Sequence, residues 1–152
     1  MSEKLSLDEV RNLGTRLTDF ELRTIKGSLR RAFRLSPRMN AVLEAARVEL
    51  PPAIKKDGTE GKRNQIRYRC AHCLGLFRKE DVAVDHIETV VPLYKEEIRM
   101  SAGDLARGIF CHVNNLQVLC NTKIKNLPKG AEKSCHYKKT AEEQFLRGEW
   151  KA

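Results

Sequence analysis

Aromatic residues are scarce in this chain. Its 152 residues include one Trp, three Tyr and five Phe, 6% in all. With 41% hydrophobic residues a core is available but modest, and so few large rings leave packing short of what fixes most small folds. A bound metal is the usual substitute. Long apolar runs are missing as well: none reaches the ~18 residues of a membrane-spanning helix, which argues against a membrane partner. The opening Met1-Ser2-Glu3-Lys4-Leu5 is polar and lacks the apolar stretch of a secretion signal. The expectation is an intracellular, cytoplasmic protein whose thiols stay reduced, where closely spaced cysteines bind metal rather than pair as disulfides. Acidic residues are absent from the whole stretch between Leu22 and Leu43, although Arg23, Lys26, Arg30, Arg31, Arg34 and Arg38 all fall there.

That gap belongs to an uneven charge distribution. The net charge is +9; residues 1–69 hold 16 basic and 9 acidic groups, whereas residues 70–152 hold 13 and 11. A basic first half joined to a nearly balanced second half points to a polyanionic partner, most simply nucleic acid. The six cations between Leu22 and Leu43 are the candidate contacts to its phosphates.

The first fifty residues read as helices. Ser6-Leu7-Asp8-Glu9 and Thr18-Asp19-Phe20-Glu21 have the form of capping boxes, and Leu22, Ile25, Leu29 and Phe33 then recur at helical spacing. Ser36-Pro37 reads as a cap and first helical residue, with Met39, Val42, Leu43 and Ala46 as the apolar face and Pro51-Pro52 as the stop. The expected organisation is a basic helical arm over 1–52, a polar linker or exposed loop over 53–65, and a metal-rich domain over 66–152. In that last part, Ile66–Arg69, Leu74–Phe77, Val82–Val84 and Leu116–Leu119 have strand character. Helices are expected near Ala102–Ile109 and over His136–Arg147.

The second half carries the chemistry. Cys70 and Cys73, two residues apart, form a knuckle that turns both thiolates toward one ion; Cys120 and Cys135 are the second pair, separated by 14 residues instead of the usual few. Loop closure costs little extra for such an insertion, so four cysteines can still close a structural zinc site. Cys111 reads as a buried thiol, His72 as a spectator inside the knuckle and His112 as a packed or surface histidine.

Between and after the cysteines lie Asp85, His86, Asn115 and His136. Asp85 and His86 are adjacent at a strand end and so point to opposite sides. A carboxylate from Asp85 and an imidazole from His136 suit a hydrated Mg²⁺ or Mn²⁺, which can stabilise a phosphoryl transition state. His86 is left as general base for a water. Asn115 can hold the His86 segment in place, and Lys139, one turn beyond His136, can meet a phosphate.

In this order Cys-x-x-Cys, Val-Asp-His-Ile, Asn-Leu-Gln-Val-Leu-Cys and Cys-His-x-x-Lys-Thr-Ala-Glu-Glu resemble the zinc-supported HNH endonucleases over residues 66–145. Many small members of that family are encoded by bacteriophages, some as homing enzymes. The resemblance implies an α+β chain with a ββα-metal (HNH, or His-Me finger) core, a structural zinc site and an N-terminal basic helical arm. It implies phosphodiester hydrolysis with one catalytic divalent ion, leaving 5′-phosphate and 3′-hydroxyl ends. It makes His86 the base, Asp85 and His136 the ion's ligands, and Asn115 the residue that orients the base. It implies double-stranded DNA as partner and, for a phage protein, the host cytoplasm as its place. A terminase or a second copy of the chain are further candidate partners. Homing, packaging and cleavage of branched DNA stay open as roles, as does a nick against a double-strand cut. The competing reading is a non-catalytic zinc-containing module that binds nucleic acid. Two departures from the family pattern stand out: Thr89 follows Asp-His-Ile-Glu where a proline is common, and the insertion before Cys135 breaks the compact Cys-x-x-Cys-His. Reading across the insertion recovers Cys135, His136, Lys139 and Thr140 together.

Overall fold

The computed structural model describes residues 5–13, 17–90 and 101–148. Residues 1–4 of the polar opening segment, and residues 92–100 of the irregular stretch, lie outside the described residues. The fold is α+β with two small antiparallel sheets. Among the described residues no helix is long and apolar enough to cross a membrane.

Three helices come first: α1 (Leu7–Leu13), α2 (Asp19–Phe33) and α3 (Pro37–Ala46). Local chemistry sets their starts. Ser6 and Glu9 exchange backbone and side-chain hydrogen bonds at 2.7 and 3.3 Å, and Thr18 and Glu21 do the same at 2.7 and 3.2 Å. Ser36 accepts from Arg38 N, with Pro37 at the first helical position. The stop of α3 corrects the sequence reading. The helix ends at Ala46, short of Pro51-Pro52, and the next residues form a strand, β1 (Arg47–Leu50). Charged and apolar residues alternate through Arg47-Val48-Glu49-Leu50, and Val48 and Leu50 turn inward, which is strand periodicity.

β1 pairs with β2 (Gln65–Arg69), and β2 with β3 (Leu76–Phe77). Residues 51–64 therefore join two paired strands, so the strand that follows α3 and the strand that leads into the cysteine knuckle share a sheet. At the tip the Asp57 carboxylate accepts from the Thr59 amide at 3.0 Å and hydroxyl at 2.6 Å, while Gly58 takes φ 82°, which suits a residue without a Cβ.

The second sheet pairs β4 (Val82–His86) with β5 (Leu116–Cys120), Asp85 facing Gln117 and His86 facing Leu116. Between them in sequence lies α4 (Ala102–Ile109), capped by Ser101 and Asp104, and after them α5 (Cys135–Leu146), which packs against β5. The knuckle is tied to this sheet by Ala71 N donating to Val118 O at 2.8 Å.

Two apolar clusters result. Phe33, Ile109 and Leu116 form one, with Leu29, Met39, Val42, Val84 and Phe110 around it. It binds α2 and α3 to α4 and the second sheet. Burying a ring of this size contributes roughly 1.5–3 kcal/mol, so Phe33 anchors the basic helix to the sheet that carries Asp85 and His86. The other cluster surrounds Cys70, Leu119 and Cys120, with Phe77 and Cys135 against it. Its small size matches the scarcity of aromatics and places the cysteines where packing alone is thin.

Candidate metal centre and active-site cleft

Four elements bring the cysteines together. Cys70 follows β2, Cys73 sits in the tight turn after it, Cys120 ends β5, and Cys135 opens α5. Their sulfur atoms all lie within 4.8 Å of one another. A tetrahedral zinc with Zn–S bonds of about 2.3 Å needs sulfurs roughly 3.8 Å apart, so this set can hold such an ion with small adjustments. The knuckle depends on its backbone. Cys70 N donates to Gly75 O at 2.9 Å, Leu74 N donates to Cys70 O at 3.0 Å, and Leu74 takes the left-handed φ of 61°. A Cβ on Gly75 would stand 2.8 Å from the Phe77 ring, so no other residue fits there without displacing it.

The 14-residue insertion does not separate the two halves of this centre. It turns through a short 3-10 segment at Ile124–Asn126 and the Pro128–Ala131 turn, then returns to Ser134, which caps α5 through Tyr137 N. Cys135 N, at the helix N-terminus, donates to Cys120 Sγ at 3.2 Å. His72 Nδ1 lies 3.6 Å from Cys135 Sγ, beside the cluster rather than within it. Burial opposes charge on Cys70, but backbone hydrogen bonds from Cys73, Cys120 and His72 outweigh it and bring that thiol down to about 7. Burial pushes Cys120 and Cys135 up, and the neighbouring thiols push Cys135 further. A divalent ion gathers all four as thiolates and releases protons in doing so.

Along β4 a cleft of ≈ 630 Å³ opens between α2 and α5. Asp85 and His86 line it from β4, and His136 and Lys139 from α5. Lys26 and Arg30 of α2 and Arg34, its C-cap, line it at four-residue spacing along one helix face. The other cations named from sequence lie elsewhere. Arg23 and Arg31 are exposed outside the cleft lining, Arg31 donating to Ser28 Oγ at 3.0 Å. Arg38 has structural work: it donates to the carbonyls of Phe110 and Cys111, where its charge suits the C-terminal end of α4.

His86 is held from two sides. Its Nε2 lies 2.9 Å from the Ile109 carbonyl, and its ring leans on Phe33 at 5.5 Å between centroids. A carbonyl only accepts, so Nε2 carries the proton and a neutral ring presents Nδ1 as a free base. Asn115 hydrogen-bonds to the backbone that follows His86. Its Oδ1 accepts from Glu88 N at 2.8 Å, its Nδ2 donates to Glu88 O at 3.3 Å, and its own carbonyl accepts from Ile87 N at 2.8 Å. It staples the turn that follows His86, a positioning role carried through the backbone.

Asp85 Oδ2 is buried and meets Lys139 Nζ as an ion pair at 2.7 Å. An anionic oxygen so placed, with an imidazole from His136 on the same cleft, fits the donor chemistry of a hydrated divalent ion. Among the described residues the four cysteines are the group of three or more metal-binding side chains that converge. Lys139 also pairs with Glu143 at 2.5 Å, and Glu143 with Arg147 at 3.9 Å. Burial disfavours the Lys139 ammonium, but the two carboxylates outweigh it and raise its pKa above the ordinary lysine value.

Phe33, Ile109, Glu143 and Arg147 are site residues the sequence reading passed over. Glu143 had a signal: it stands one helical turn beyond Lys139 and two beyond His136 on the same face. Phe33 had none beyond its place in an apolar repeat. Cys111 is half-buried against the first cluster, and His112 is exposed, its Nδ1 accepting from Asn114 N at 3.2 Å. No protein-family model, curated protein or solved structure matches this chain.

Proposed function

We propose that this chain is a metal-dependent DNA endonuclease or nickase of the HNH type, its ββα-metal core formed by β4, β5 and α5. The observation that carries the reading is that Asp85, His86 and His136 line the same cleft as Lys26, Arg30 and Arg34. A zinc at the four cysteines would fix the start of α5, and with it His136, the residue after Cys135.

Asp85 and His136 would hold a Mg²⁺ or Mn²⁺, which supplies charge stabilisation at the phosphate and at the departing oxygen. The remaining steps belong to the chain. Lys26, Arg30 and Arg34 neutralise phosphates and seat the double-stranded backbone. His86 Nδ1 takes a proton from a water whose oxygen attacks phosphorus, while Nε2–H stays on the Ile109 carbonyl and steadies the imidazolium that forms. The P–O3′ bond breaks and the departing O3′ takes a proton from solvent water, leaving a 5′-phosphate and a 3′-hydroxyl. One site makes one cut, so a nick is the elementary product; a double-strand break calls for a second copy or a second event. Most affinity in this scheme comes from phosphate contacts, which carry little sequence information.

Binding and cutting can be separated on a labelled duplex. Without added Mg²⁺ or Mn²⁺ the zinc-loaded protein should shift the duplex, and the slope of log affinity against log salt should become shallower by about 2 to 3 when Lys26, Arg30 and Arg34 are changed together to Ala. Adding Mg²⁺ or Mn²⁺ should yield nicks that a DNA ligase reseals, as 5′-phosphate and 3′-hydroxyl ends require. Retained binding with no cut under either ion would identify a zinc-containing nucleic-acid-binding module instead.

A further inference from the structure

Lys139 sits among oxygens. Its Nζ lies 2.7 Å from Asp85 Oδ2, 2.5 Å from Glu143 Oε1 and 2.7 Å from the His86 carbonyl. Two carboxylates and a carbonyl are the hard donors that a divalent cation takes. The three side chains are largely enclosed, with 24% of Lys139, 20% of Asp85 and 18% of Glu143 exposed, so the charges are only partly screened.

We infer that Lys139 is a built-in occupant of the cation position: it holds Asp85 in the metal-free protein and must leave for a divalent ion to bind there. The inference rests on the reading of Asp85 as a ligand of the catalytic ion. A dication at about 2.1 Å from Asp85 Oδ2 and an ammonium at 2.7 Å from the same atom would stand a few ångströms apart and repel. Glu143 supplies the exit. It already holds Lys139 from four residues along α5 and is itself paired with Arg147, so Lys139 can rotate off Asp85 without losing a carboxylate. Displaced in this way, the ammonium remains in the cleft lined by Lys26, Arg30 and Arg34, where it can meet a phosphate. The exchange keeps Asp85 paired before the ion arrives and gives the phosphate site a further cation once it has.

The test uses the intact zinc-loaded chain and an amine-acylating reagent, with each lysine read by mass spectrometry. Mg²⁺ should raise Lys139 acylation several-fold relative to the exposed Lys138, and Asp85→Asn should show the raised level without Mg²⁺. In calorimetry, Lys139→Met should bind Mn²⁺ tighter by on the order of fivefold, the effect of removing one partly screened ionic competitor. Lys139→Gln serves as the second variant, and the acylation readout needs no substitution at Lys139 at all. Labelling of Lys139 that ignores Mg²⁺, while Mn²⁺ binding still depends on Asp85, would overturn the inference and leave the nuclease reading standing. Mn²⁺ affinity indifferent to Asp85→Asn would overturn both.

Discussion

His86→Ala is expected to slow DNA cleavage by about 10²- to 10⁴-fold, the range a positioned general base supplies, with binding of the zinc-loaded protein in the absence of Mg²⁺ or Mn²⁺ unchanged. The two effects separate because affinity is assigned to Lys26, Arg30 and Arg34 on α2, whereas His86 acts on a water. The ring also packs on Phe33 and bonds to the Ile109 carbonyl, so its removal leaves a gap and an unpaired carbonyl. His86→Gln is the companion variant: its amide can still donate toward Ile109 O, yet it provides no base near neutral pH. Equal loss in both variants, with matched thermal unfolding, assigns the effect to proton transfer. Recovery of activity in His86→Gln would mean that the side chain only fills space.

Cys70→Ser is expected to lose bound zinc and, with it, the cooperative unfolding transition of the residues around the knuckle. Cys70 is fully buried between Leu119 and Cys120 in the smaller of the two clusters. That cluster includes a single aromatic ring, Phe77. Structural zinc supplies about 10–16 kcal/mol in small sites, comparable to the whole stability of a domain, about 5–15 kcal/mol, so its loss is not made up by packing of this kind. Elemental analysis should give one zinc per wild-type chain and none for Cys70→Ser. Cys111→Ser, whose thiol lies against the other cluster, should keep its zinc. Wild-type protein without stoichiometric metal, or a Cys70→Ser variant that melts like wild type, would remove the zinc from the account. Because binding deprotonates the cysteines, zinc affinity should also fall as pH drops, most steeply below about 7, where the Cys70 thiol too is protonated in the metal-free protein and must give up its proton on binding.

What could be read from the sequence was mostly what local spacing controls. The caps at Ser6, Thr18 and Ser36, the strand running to His86, the strand begun at Leu116 and the helix Ala102–Ile109 depend on neighbours within a few residues. The meeting of the four cysteines was also legible, because a knuckle plus two further thiolates can close on one ion whatever the loop between them. β1 was missed because proline signals at Pro51-Pro52 outweighed the alternation in Arg47–Leu50. The union of α2 with the cleft was missed for a different reason. Composition marks Leu22–Leu43 as a basic arm, and nothing local says that Phe33 will pack on His86 from 53 residues away. Arg38 looked like its neighbours in sequence, and only the arrival of α4 beside it decides that it binds carbonyls. The pairing of Lys139 with Asp85 likewise depends on α5 lying across β4, which no spacing rule supplies.

The central claim is that the cleft between α2 and α5 cuts DNA. Its most direct test is a time course on supercoiled plasmid with zinc-loaded wild-type protein and Mg²⁺ or Mn²⁺, run beside His86→Ala at equal zinc content. The account predicts conversion to nicked circles, with or without later linear product, by the wild type and little or none by the variant. No conversion by the wild type under either ion, or equal conversion by both proteins, would contradict it.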